Sequence, residues 1–149
     1  MPDSIRDLLQ KLDNLKIGPK PLWGKMTAQH MVEHLIFAVR TSNGKLKLEC
    51  FNPVEKLPTL KRFLLSDRPL PHNFINPVIG EGLVPLQYES LEKAKEILAG
   101  EINDYYNFFE DHTDALLTNV TFGDLSKDEW EVFHQKHFTH HLQQFGLIY

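Results

Sequence analysis

Apolar residues recur at three- and four-residue steps in four segments of the chain, the spacing of one face of an α-helix. The segments cover residues 5–15, 28–41, 91–111 and 127–145. A hydroxyl residue that can cap the first turn precedes each of them, at Ser4, Thr27, Ser90 and Ser126. The last cap opens a Ser-x-x-Glu capping box, and Gly146 is the stop signal of that helix. The pattern therefore predicts four main helices.

The connection between the second and third segments, residues 45–89, carries no clear period. Its prolines exclude a long helix, although residues 57–65 have room for two helical turns. Residues 45–51 alternate weakly like a strand, and residues 122–125 have the composition of a turn. Four helices and one long proline-rich connection predict an all-α fold, a four-helix bundle with a crossover.

Composition and charge narrow the class of protein. The chain has 149 residues, 42% hydrophobic and 24% charged, which is typical of one globular domain over residues 1–149. A net charge of −4 with scattered basic residues argues against a nucleic-acid partner. Cys50 is the single cysteine, so an intramolecular disulfide is excluded and a reducing, cytoplasmic location is expected. No apolar run approaches the roughly 20 residues that cross a bilayer, so no membrane association is predicted.

Histidine is the residue type in excess, with 8 in the chain and a concentration in the last helix. On a wheel of about 100° per residue, one face of that helix carries a row of aromatic and histidine side chains. The row consists of Trp130, His134, His137, His141 and Phe145. The charged residues of the helix project to other sides, so the row is predicted to face the interior.

Three of the histidines are candidate metal ligands. His137 and His141 are four residues apart, so their Cβ atoms lie about 5–6 Å apart and both side chains can reach one divalent ion at about 2.1 Å. An isolated pair with this spacing is more often hydrogen-bonded in a core or on a surface, so a further ligand is needed. His34 is the best candidate, because it lies on the inward flank of the second helix. Three protein ligands and one open position are typical of catalytic metal sites.

The remaining histidines have other predicted places. His134 lies one turn before His137 on the same face, and three roles stay open for it: partner of a ligand, substrate contact or core histidine. His140 lies beside the pair but is turned off its face. His72 and His112 are predicted to be surface residues.

A competing motif occupies the second helix. The string HMVEH at 30–34 fits the inverted zinc-peptidase motif H-x-x-E-H, in which two histidines bind zinc and the glutamate is the base. Five letters are a weak signal in a histidine-rich helix, and the wheel places His30 and Glu33 toward the polar side. His30 is therefore predicted to lie at the surface, and the peptidase is the minor hypothesis.

Three strings follow one another along the chain: WGKMTAQ at 23–29, FGDLS at 122–126 and HFTHHLQQFGL at 137–147. Together they resemble the DinB-like superfamily, in particular a small uncharacterised branch whose last helix ends in a histidine-rich Gln-Phe-Gly segment. The resemblance implies a four-helix bundle with a long crossover and a divalent metal, zinc or nickel, held by three histidines. Carried over residue by residue, the ligands are His34, His137 and His141.

The resemblance also suggests a chemistry. Characterised DinB-like proteins include thiol transferases and a thiol-dependent isomerase, in which the metal is thought to activate the sulfur of bacillithiol, mycothiol or glutathione. It thus implies a metal-dependent transferase or hydrolase acting on a small molecule, with a low-molecular-weight thiol as one candidate cosubstrate. Leu142 stands where the better-known members often have an arginine. The alternative function, from another class, is a non-catalytic metal-binding or ligand-binding bundle. The sequence leaves open whether the chain forms a homodimer.

Overall fold

A computed structural model describes residues 4–72 and 83–148 of the chain. These residues are mostly helical, with five α-helices and one small two-stranded sheet. The helices are α1 (Ile5–Gln10), α2 (Ala28–Arg40), α3 (Leu57–Leu65), α4 (Leu91–Asp111) and α5 (Lys127–Gln144). The strands are β1 (Leu117–Asn119) and β2 (Gly123–Leu125).

The predicted caps start four of these helices. Each cap hydroxyl accepts a hydrogen bond from the backbone N–H three residues further on, at Ser4, Thr27, Ser90 and Ser126. Ser126 forms a full capping box with Glu129, and Gly146 follows α5 in the left-handed region with a φ of 70°. α1 is shorter than predicted, because the chain tightens after Gln10 into a 3-10 helix over Lys11–Asn14.

A small antiparallel hairpin joins α4 to α5, so the all-α prediction holds only as a mostly helical fold. Thr118 of β1 lies opposite Asp124 of β2. The Oδ1 atom of Asn119 accepts hydrogen bonds from the backbone N–H groups of Thr121 and Phe122, at 2.9 and 3.0 Å. The Asn119 side chain closes a turn at residues 120–122, whereas the turn was predicted at residues 122–125. Residues 123–125 form strand β2 instead.

The connection over residues 45–89 is confirmed in one part and corrected in another. The two helical turns predicted at residues 57–65 are α3. Residues 45–51 form no strand, because no described segment runs alongside them as a partner. The Phe51 N–H donates to the Val120 carbonyl oxygen at 3.0 Å, and no ladder continues from that contact. Residues 73–82 of this connection lie outside the described residues.

The helices pack so that the histidine-bearing faces of α2 and α5 meet. α2 packs along α4, and α5 contacts α1, α2 and α3. The side chains that fill the space between them are apolar, and the fully buried ones include Met31, Leu35, Leu98, Ile102 and Trp130. None of the helices in the described ranges combines the length and apolar character needed to cross a membrane.

Candidate metal centre

Three imidazoles from two helices converge in the interior. His34 comes from α2, and His137 and His141 come from successive turns of α5. The Nε2 atom of His137 lies 2.9 Å from Nε2 of His34 and 3.2 Å from Nε2 of His141. One ligand nitrogen from each residue lies within 4.8 Å of the other two. The structure therefore brings together the three histidines that the sequence singles out.

The spacing of these nitrogens suits a single small cation. Three nitrogens bound to one ion at about 2.1 Å in a tetrahedral site lie about 3.4 Å apart. The observed separations from His137 are slightly shorter, so a modest outward rotation of the rings would open the cluster to that geometry. An all-imidazole donor set suits zinc or nickel and is unsuited to magnesium or calcium, which prefer oxygen.

Burial keeps these imidazoles uncharged at neutral pH. It lowers the pKa of His34 to about 4. Burial, reinforced by repulsion between the neighbouring imidazoles, also holds the pKa of His137 and of His141 well below the ordinary value. Neutral imidazole is the form that binds a metal, so no net release of protons is needed at pH 7.

Within the described part of the chain, the buried Nδ1 atoms of His34 and His137 have no hydrogen-bond partner, and neither has Nδ1 of His134. Unpartnered buried nitrogens are costly in an ordinary core and need a specific reason. A cation at the three Nε2 atoms would place the ring protons on Nδ1 and leave these atoms of His34 and His137 unpartnered, so the case for an ion rests on the three converging Nε2 atoms and their all-nitrogen donor set. The residues present therefore fit a transition-metal ion.

Gln144 is a part of the site that the sequence interpretation missed. Its Oε1 atom lies 2.8 Å from Nδ1 of His141, one helical turn away. Metal-binding histidines usually donate a hydrogen bond from the N–H of their second ring nitrogen to such an acceptor, which orients the ring. The signal was present as the spacing of His141 and Gln144, three residues apart on one helix face.

His134 lies in the core and makes its hydrogen bond away from the three converging imidazoles. Its Nε2 atom is 2.7 Å from Oγ of Ser42, whose hydroxyl donates to the Val39 carbonyl oxygen at 2.8 Å. The ring packs edge-on against Tyr105 and close to Trp130. Of the three roles open to His134, the core histidine matches these contacts.

The contacts of His30 and Glu33 do not match the roles of a zinc ligand and a catalytic base. Nδ1 of His30 lies 2.6 Å from Oγ1 of Thr27, at the start of α2. The Glu33 carboxylate accepts hydrogen bonds from the backbone N–H groups of Gln87 and Tyr88, at 2.7 and 3.2 Å. The Glu33 side chain therefore holds the end of the connection over residues 45–89 against α2.

His140 belongs to an aromatic cluster next to the three imidazoles. The Trp23 and His72 rings stack with centroids 3.7 Å apart, and His140 meets Trp23 edge-on at 5.4 Å. His140 is buried, although it is turned away from the converging nitrogens as predicted. His72 and His112 are exposed, which confirms their predicted surface positions.

A cavity of about 810 Å³ adjoins His34 on the outer flank of α2. Most of its wall is apolar, formed in part by Met26, Phe37, Leu46, Leu83 and Val84. At its polar end Arg40 donates to Glu101 at 2.6 Å and to the Tyr88 hydroxyl at 3.0 Å. A space of this size accommodates a small organic molecule next to one of the candidate ligands.

Comparison with known proteins adds a partial match. A family model described as "Protein of unknown function (DUF1569)" matches residues 86–146. The matched part includes α4, the hairpin and α5 with His137 and His141, and it leaves out His34. No curated protein and no solved structure matches the chain significantly.

Proposed function

We propose that the chain is a DinB-like metal-dependent enzyme with one mononuclear site formed by His34, His137 and His141. The observation that carries the proposal is the convergence of three buried, neutral Nε2 atoms from two helices, with no carboxylate among them. We further propose that α1, α2, α4 and α5 form the four-helix bundle typical of that superfamily. In this interpretation the connection over residues 45–89 is its crossover, and α3 is an addition within it.

A zinc or nickel ion at this site would supply a Lewis acid that stabilises thiolate or hydroxide at neutral pH. The chain contributes three neutral nitrogen ligands and a water-poor environment. The ring of His141 is held in place by Gln144 through the 2.8 Å contact at Nδ1. Three protein ligands leave room for one more, so a transferase using a low-molecular-weight thiol and a hydrolase are the two reaction classes that fit.

The cavity beside His34 supports a small-molecule substrate. Its wall is mainly apolar, and its charged groups already have partners: Glu101 binds both Arg40 and Lys45 at 2.6 Å, and Glu33 accepts hydrogen bonds from two backbone N–H groups. A substrate with an apolar body would therefore be favoured over a highly charged one. Of the three candidate ligands, His34 is the one that lines this cavity, so a bound molecule would contact the candidate site through α2.

A non-catalytic metal-binding role is the second candidate, and the burial of the ligands favours it. His34, His137 and His141 are 8%, 4% and 5% exposed, which resembles a closed structural site more than an open catalytic one. The two roles differ in how the metal responds to added ligands. Azide should change the visible spectrum of the cobalt-loaded protein if a coordination position is open, and should leave it unchanged if the site is closed.

Metal content is the direct test of the proposed function. Protein prepared without a histidine tag or a chelating column should contain, or bind on titration, one zinc or nickel ion per chain. Mass spectrometry of the metal and calorimetric titration both measure this ratio. If neither measurement detects a bound transition metal, the proposal of a metal-dependent enzyme is wrong.

A further inference from the structure

The side chain of Gln144 is held between a candidate metal ligand and the loop that precedes α2. Its Oε1 atom lies 2.8 Å from Nδ1 of His141, and its Nε2 atom donates to the Trp23 carbonyl oxygen at 2.9 Å. Gln144 is 4% exposed, so water does not compete for either contact. Both ends of one amide group are therefore engaged at the same time.

The identity of the two partners fixes the tautomer of His141. A carbonyl oxygen only accepts hydrogen bonds, so the NH2 end of Gln144 must face Trp23. The oxygen end then faces His141 and requires a donor there, which places the ring proton on Nδ1. The unshared electron pair of His141 is consequently on Nε2, the atom 3.2 Å from Nε2 of His137.

The loop approaches this amide very closely. The backbone N–H of Leu22 donates to the backbone carbonyl oxygen of Gln144 at 2.7 Å. Gly24 has a φ of 81°, and a Cβ atom at this position would lie 2.9 Å from Nε2 of Gln144. The positive φ therefore favours glycine here, and a side chain at this position would also push the Gln144 amide away from its present contacts.

We propose that Gln144 is a positioning residue with two linked effects. It holds His141 in the tautomer whose Nε2 atom is free to bind a metal, and it couples metal binding at His141 to docking of the loop at residues 21–25. An ion on Nε2 polarises the Nδ1–H group, which strengthens its bond to Gln144 and, through the amide, the bond to Trp23. The tautomer needs no metal, whereas the coupling rests on the proposed function.

The tautomer is tested in metal-free protein. Two-bond proton–nitrogen NMR spectra of the imidazole rings should show the His141 proton on Nδ1 in the native chain. The same spectra should show a mixture of tautomers in Gln144→Met, which keeps the volume and removes both hydrogen bonds. A His141 proton found on Nε2 in the native protein would overturn the proposal.

The coupling is tested by zinc affinity and by hydrogen exchange of the loop. Gln144→Met should weaken zinc binding roughly tenfold or more. Gln144→Glu can still accept from His141 but cannot donate to Trp23, so it should keep zinc affinity and lose the zinc-dependent protection of the backbone N–H groups at residues 22–25. Gln135→Met is the matched control, because Gln135 also lies on α5 and its side chain donates to the Glu131 side chain on the same helix.

The outcomes separate this inference from the proposed function. Native-like zinc affinity and His141 tautomer in Gln144→Met, equal to those of Gln135→Met, would overturn the positioning role. A native chain that binds no zinc, yet changes its His141 tautomer in Gln144→Met, would support the tautomer assignment and overturn both the coupling and the metal site.

Discussion

Ser42 and His134 form a buried hydrogen bond of 2.7 Å between Oγ and Nε2, 92 positions apart in the chain. Because the Ser42 hydroxyl proton is directed to Val39, the imidazole donates from Nε2. His134 is fully buried among aromatic rings, and burial lowers its pKa to about 3. The core therefore contains a histidine that stays neutral at physiological pH.

The first prediction is that acid destabilises the metal-free protein in part through His134. Below pH 6.5 the unfolded chain takes up a proton on this histidine, whereas the folded chain does so only near pH 3. The free energy of unfolding should therefore fall as pH drops, and His134 alone should contribute about 2 kcal/mol of loss between pH 7 and pH 5. Urea denaturation of the native chain and of His134→Gln, which can still donate to Ser42, measures the difference. Equal pH dependence in both proteins would contradict the assignment.

The second prediction concerns which histidines bind metal. His34→Ala, His137→Ala and His141→Ala should each lower zinc affinity roughly tenfold or more, because each removes one of three ligands. His30→Ala and His140→Ala serve as controls and should bind zinc like the native chain. Competition with a chromophoric chelator gives the affinities. Losses at His30 and His34 without a loss at His137 would instead favour the inverted-peptidase motif.

The third prediction separates an anchoring role of Glu33 from a catalytic one. Glu33→Gln should leave zinc affinity unchanged and should lower the free energy of unfolding by about 1–2 kcal/mol, since one of two charge-assisted bonds to the backbone is lost. Amide exchange at Gln87 and Tyr88 should become faster, because both N–H groups donate to this carboxylate. Native exchange rates at both positions would show that the carboxylate does not anchor this segment.

The fourth prediction tests the thiol chemistry. If the open position takes up a thiol, then a low-molecular-weight thiol added to cobalt-loaded protein should produce a sulfur-to-metal charge-transfer band. A hydrolase would bind hydroxide and show no such band. Failure of bacillithiol, mycothiol and glutathione alike to alter the spectrum at millimolar concentration would exclude the thiol mechanism and leave the metal site untouched.

The helices of this fold were predictable because their signals are local. Caps and stops lie within a few residues of the helix they delimit, so α4 and α5 begin and end close to their predicted positions. The hairpin was not predictable in the same way, because its strands are only three residues long. It depends on contacts with distant parts of the chain, such as the hydrogen bond from the Trp130 indole to the Leu117 carbonyl oxygen.

The candidate site likewise has a part that local signals predict and a part that depends on distant contacts. Helical periodicity was enough to place His34, His137 and His141 on inward faces. The packing of α2 against α5 then brings their nitrogens together. Some of the hydrogen bonds around these histidines depend instead on tertiary contacts. Ser42 beside His134 and the Trp23 carbonyl beside Gln144 are 92 and 121 positions away in the chain, and no local pattern specifies either contact.

The separation of His34 from His137, 103 positions, has a consequence for synthesis of the protein. A chain growing on the ribosome presents His34 long before the residues of α5 have been made. Until then two of the three nitrogens are missing, and the nascent chain lacks the set that would retain an ion. Capture of metal would coincide with closure of the core by α5, so a chain that stalls before residue 137 would leave the cellular metal pool undisturbed.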